Sequence, residues 1–161
     1  MHFPILSAII LLPIIGALFI FIFARENDDS TQKNIYLTAL WSSLATFFLT
    51  MAMMIRFDPN LINFQFEEQY KWIDDYNISY HLGVDGISIF FILLTALLTP
   101  ICILASKGAI TKRVKEYMIA FLLLESFVIG TFAALDFMVF YILRVNICSD
   151  GILYFTSYYM L

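Results

Sequence analysis

The chain has 161 residues, 61% of them hydrophobic and 14% charged, with a net charge of −4 and a mean hydropathy of +0.86. Soluble domains carry roughly 25% charged and 45–50% apolar residues, and a small one has too little interior to hide such an apolar excess. The composition therefore excludes a soluble globular domain and defines an integral membrane protein.

A bilayer core of about 30 Å takes about 20 apolar residues at roughly 1.5 Å each. Residues 4–24 form such a run without a charge. The run has no basic leader and exceeds the roughly 7–15 residues of a signal-peptide core, so it reads as a retained helix. Residues 35–55 form a second run, 87–106 a third, and 118–135 a fourth that only Glu125 interrupts. A fifth begins at Phe137 and breaks off at Arg144. Pro13 and Pro100 lie inside spans, where lipid-embedded helices tolerate proline as a kink. The predicted fold is all-α transmembrane: four full spans, a broken fifth and a small outer β-hairpin.

The loops orient the spans. The first loop carries Arg25 and Lys33, and the third carries Lys107, Lys112, Arg113 and Lys115. The long second loop, 56–86, has only Arg56 and Lys71 against Asp58, Glu67, Glu68, Asp74, Asp75 and Asp85. Lys and Arg concentrate on the cytoplasmic side, so loops one and three face inward, while the acidic loop and the N-terminus face outward. Within the outer loop, Ile62, Phe64 and Phe66 alternate with polar neighbours, as do Ile78, Tyr80 and Leu82. Period-two alternation predicts two short strands, joined through the turn-forming residues 74–77. Trp72 and the nearby tyrosines suit the interfacial zone.

Glu125 is the most informative single residue. A carboxylate in a membrane span costs several kcal/mol when charged and unpaired, so it faces protein or water. That makes Glu125 a proton-path candidate; its structural alternative is a protonated or paired acid that holds helices together. Ser126, Gly130 and Ala134 fall four apart on the same helix, the small-residue spacing that lets helices approach closely. Asp136 reads as an interfacial cap, and Asp85 as the N-cap of the third span. His81 reads as a hairpin surface residue, and Met51, Met53 and Met54 as packing or lipid-facing. Cys102 and Cys148 have no metal spacing and read as free thiols. No phosphate loop, dinucleotide fingerprint or CxxC occurs, so no cofactor or metal site and no nucleic-acid partner is expected in this chain.

The segment "SYHLGVDGISIFFILLTALLTPICILAS", followed by "RVKEYMIAFLLLESFVIGTFAALDFMVFYI", resembles the subunit M, or chain 4, family of proton-translocating NADH:quinone oxidoreductase, respiratory complex I of bacterial type. The resemblance covers residues 1–143 and is strongest from Ser79 to Ile142. It implies a bundle of about fourteen membrane helices containing two inverted five-helix repeats. It further implies a bacterial inner-membrane location, other complex I membrane subunits and the lipid bilayer as partners, redox centres in other subunits, and proton movement through buried Glu, Lys and His residues. A subunit of a related cation/proton antiporter is the alternative within the same ancestry.

The chain departs from the family pattern after Leu143. The family's fifth-helix glutamate, in a segment like "FYxFFExxxxPM", aligns with Val145. A permitted back-translation of residues 144–151, read one base on, gives Glu-Ser-Ile-Phe-Val-Pro-Met. Residues 144–161 are therefore expected to be an out-of-frame tail created by a frameshift near residue 143. On that expectation the exact chain is a truncated membrane remnant that pumps nothing.

Overall fold

The computed structural model describes residues 4–23, 29–59, 63–73, 78–107, 113–136 and 140–147. Helix α1 spans Ile5–Phe23 and α2 spans Asp29–Ile55. Strands β1 (Gln65–Ile73) and β2 (Ile78–Val84) follow, then α3 (Ser88–Ser106) and α4 (Val114–Ala133). A further helical segment, α5, covers 140–147. The four long helices are each long and apolar enough to cross a membrane.

These helices begin and end where local chemistry allows. Asp85 stops the chain before α3: its Oδ1 accepts the Ser88 N–H at 2.7 Å and the Ile87 N–H at 3.2 Å. Ser88 Oγ answers by accepting the Asp85 N–H at 3.0 Å. Orphan amides of the first turn are thereby satisfied. Helix α2 starts six residues before the apolar run, at Asp29 rather than 35, because a polar turn can extend a helix beyond the hydrocarbon. Helix α4 likewise starts at Val114 rather than 118, with Glu116 favouring the positive N-terminal end. It ends at Ala133 because Ala134 instead bridges to Leu82 of β2.

The hairpin is antiparallel, and its first strand lies nearer the turn than the alternation at 62–67 suggested. A bulge is the reason. Gln65 pairs with Val84 and Glu68 with Leu82, so three residues on β1 match two on β2. Phe66, at φ 56°, sits in the left-handed region within that bulge. The expected turn at 74–77 and the side chain of Trp72 lie outside the described residues.

Arg144 does not end the fifth helix. The segment 140–147 runs through it, with Arg144 lying exposed, its guanidinium 5.9 Å from the Phe140 ring centre, and Asn146 Nδ2 donating to Ile142 O at 2.8 Å. Arginine breaks hydropathy but is a good helix former, so the apolar run stops while the backbone continues. Residues 148–161, the bulk of the expected tail, lie outside the described residues.

Two apolar clusters fill the bundle. The cluster at the hairpin end joins Leu6, Ile9 and Met53 to Leu82, Val84, Ile92 and Ile129. The cluster at the opposite end joins Ala17, Ile20, Ile35, Ala39 and Ile103 to Met118 and Leu122. Outside, large apolar side chains such as Ile15, Phe21, Trp41, Phe48 and Phe90 stand exposed. An apolar exterior on an apolar core is the pattern of a helix bundle solvated by lipid, and the chain is a multi-pass membrane protein.

Candidate functional site

Each long helix crosses from one apolar cluster to the other, and the buried residues between the clusters are polar or helix-perturbing. On α1 it is Pro13, buried between Ile10 and Ala17. On α2 it is Ser43, Thr46 and Thr50, all fully buried between Ala39 and Met53. On α3 it is Thr99 and Pro100, buried between Ala96 and Ile103. On α4 it is Glu125 and Ser126, fully buried between Leu122 and Ile129. A polar layer thus separates the two apolar clusters midway along the bundle.

The hydroxyls of this layer donate to carbonyls of their own helices. Ser43 Oγ reaches Leu40 O at 3.0 Å, Thr46 Oγ1 reaches Ser42 O at 3.0 Å, and Thr50 Oγ1 reaches Thr46 O at 2.7 Å. Thr99 Oγ1 reaches Thr95 O at 3.0 Å. Each hydroxyl oxygen keeps capacity to accept. The two prolines add acceptors, since Pro13 and Pro100 have no N–H for the carbonyls of Ile9 and Ala96.

Glu125 is the exception within this satisfied layer. Neither carboxyl oxygen has a hydrogen-bond partner among the described residues. An ionised carboxylate without a partner in such surroundings costs several kcal/mol. The layer can therefore do one chemical thing that a plain helix core cannot: hold a carboxyl group away from bulk water, at the level of the bundle that also carries buried hydroxyls.

The small-residue stripe meets a partner within the chain. Ser126 Oγ donates to Ile10 O at 2.7 Å, across the α1–α4 contact. A side chain at Gly130 would lie 2.9 Å from Leu143 of α5 and 3.8 Å from Ile10. Ser126 and Gly130 thus serve α1 and α5 together, as close helix approach requires, while Ala134 bridges to the hairpin.

The remaining sequence candidates lie elsewhere. His81 is half-buried on the hairpin, its Nε2 3.9 Å from the Glu67 carboxylate. Asp136 is half-buried past the end of α4, where its carbonyl accepts the Phe140 N–H at 3.0 Å. Met53 joins the core while Met51 is exposed, and Cys102 is a free, exposed thiol. Two features escaped the sequence reading. The buried hydroxyls of α2 carried a legible signal, since Ser43, Thr46 and Thr50 recur at helical spacing in an apolar span. The other is Glu68, counted there only as one outer-loop charge. It reaches the start of α1, and no local pattern announces that contact.

The fold and this layer define a class: a multi-pass helical membrane protein with a buried carboxyl midway along its bundle, unpaired among the described residues. Comparison with known proteins narrows it. Residues 9–131 match the family described as NADH-ubiquinone oxidoreductase chain 4, amino terminus, and the chain belongs to that family. It is 43% identical over 144 residues to NADH-quinone oxidoreductase subunit M of Rickettsia typhi, covering 88% of this chain and 29% of that protein. Similarity to NADH-ubiquinone oxidoreductase chain 4 of Marchantia polymorpha is 42% over 137 residues, covering 85% of this chain and 27% of the relative. The corresponding subunit M of Rhodobacter capsulatus is also 42% identical over 137 residues, covering 85% and 26%. The chain therefore spans less than a third of the length of these relatives.

Proposed function

We propose that this chain is part of a membrane subunit of a proton-translocating NADH:quinone oxidoreductase, and that Glu125 binds and releases a proton there. Its family supports the first half of the reading, since the relatives are named as subunits of that oxidoreductase. One observation carries the second half: a fully buried carboxyl with neither oxygen partnered among the described residues, at the level of the bundle where buried hydroxyls lie. Such intramembrane acids mark proton relays. Electron transfer from NADH to quinone belongs to other subunits in this reading, and its partners are the neighbouring membrane subunits and the lipid. The hairpin end faces the outside of a bacterial inner membrane, and the end bearing Lys107, Arg113 and Lys115 faces inward.

Glu125→Gln in a subunit of the relatives' full length, assembled in its membrane complex, tests the reading. The neutral amide keeps shape but cannot exchange a proton. Proton pumping per NADH oxidised is expected to fall by more than half, with partial recovery in Glu125→Asp. Pumping at the wild-type ratio in Glu125→Gln would overturn the proton-binding role.

A further inference from the structure

Glu68 lies on the bundle-facing side of β1, opposite the fully buried Leu82, and is itself only 9% exposed. Its carboxylate grips the start of α1. Oε1 accepts the Leu6 N–H at 2.8 Å, and Oε2 accepts the Ser7 N–H at 3.1 Å and the Ser7 hydroxyl. Helix α1 has no acidic residue of its own in the first turn, so the charge that complements its positive end comes from the hairpin.

One turn further along α1 stands Ile10, whose carbonyl takes the Ser126 hydroxyl at 2.7 Å. The adjacent Ile9 carbonyl is the one that Pro13 leaves without an amide. Ser126 is the immediate neighbour of Glu125. From Leu6 to Ile10 the helix rises by only about 6 Å, as one stiff turn. A grip at Leu6 and Ser7 therefore sets the height and rotation at which the Ile10 carbonyl meets α4.

We propose that Glu68 is a positioning residue for Glu125: by clamping the first turn of α1 it sets the polar surroundings, and hence the proton affinity, of the buried carboxyl on α4. The hairpin is then more than a cover on the bundle. It is mechanically joined to the mid-depth acid through α1 and the Ile10–Ser126 hydrogen bond. This inference rests on reading Glu125 as a proton-exchanging group, and its test is read without pumping.

The test uses native membranes carrying the chain with its neighbours. A hydrophobic carbodiimide modifies carboxyl groups in their protonated form, and peptide mass spectrometry reads the modification of Glu125 across pH. Glu68→Ala is expected to move the pH of half-maximal modification by about one unit, a change a local anchor would not produce. Ser126→Ala is expected to move it the same way. The double variant should move it no further than the larger single change, because both act through one connection. Glu68→Gln keeps one carbonyl to accept the Leu6 N–H, so it should shift the midpoint in the same direction by less. If Glu68→Ala does not assemble, Glu68→Gln carries the comparison. A wild-type midpoint in the assembled Glu68 variant, or shifts that simply add, overturns the proposal. Normal pumping by Glu125→Gln would sink the proton-binding role while leaving this labelling result standing, so the two failures are distinguishable.

Discussion

At the third span, one carboxylate decides where a helix begins. Asp85 accepts two backbone N–H bonds, and the Ser88 amide, the larger influence, holds its carboxyl below the ordinary carboxylate range. A lowered folded value means that the cap adds stability above the unfolded value and loses it as pH falls through the folded one. Asp85→Ala is therefore expected to cost about 1 kcal/mol at neutral pH, the usual worth of an N-cap. The gap between wild type and variant should close in acid, which denaturant unfolding in detergent at several pH values would measure. A gap unchanged by acid would show that the charged carboxylate is not the cap. This role was legible in "GVDGIS", because capping acts over three residues. Glu68, an acid of the same loop, caps a helix 62 residues away. Its role was illegible for that reason.

Helices depend on how closely their backbones approach. A Cβ placed on Gly16 of α1 would lie 2.7 Å from Ser42 Cβ of α2, nearer than side chains pack. Gly16→Ala is expected to push the two helices apart and cost about 1–3 kcal/mol, as overpacking does. Ser42→Gly in the same chain should restore most of the loss, read by thermal unfolding in detergent. A single Gly16→Ala as stable as wild type would remove this contact from the account. The four spans themselves were legible in hydropathy alone, since each is a long apolar run. Their ends were less so: Asp29 and Val114 start helices in polar turns, and 140–147 continues through Arg144. Hydropathy reports what lipid accepts, whereas helix ends follow backbone hydrogen bonding, which charged residues can also sustain.

Across the whole molecule, alternating loops must alternate sides. Asn63, before β1, and Lys107, after α3, are exposed at opposite ends of the bundle. A cysteine placed at 63 should react with a membrane-impermeant thiol reagent from outside intact cells, and one at 107 only after permeabilisation. Labelling of both from the same side would overturn the orientation drawn from Lys and Arg. The hairpin sits over the end that this orientation places outside, with the Leu135 N–H bonded to His81 O at 3.0 Å and Leu82 bridged to Ala134.

Sequence by itself determined the membrane class, the spans, the presence of a hairpin and the one acid within a span, because each is a property of neighbouring residues. Tertiary structure alone decided that this acid lies in a polar layer between two apolar clusters, since burial depends on which helix faces which. It also decided how α1 is held. That helix carries no acid in its first turn and no base in its last. Glu68 supplies the negative charge at one end, and Lys115 the positive at the other, its Nζ donating to Phe21 O at 3.0 Å from 94 residues away. A helix dipole asks for charge at its ends but does not say from where. Packing of distant segments supplied the answer.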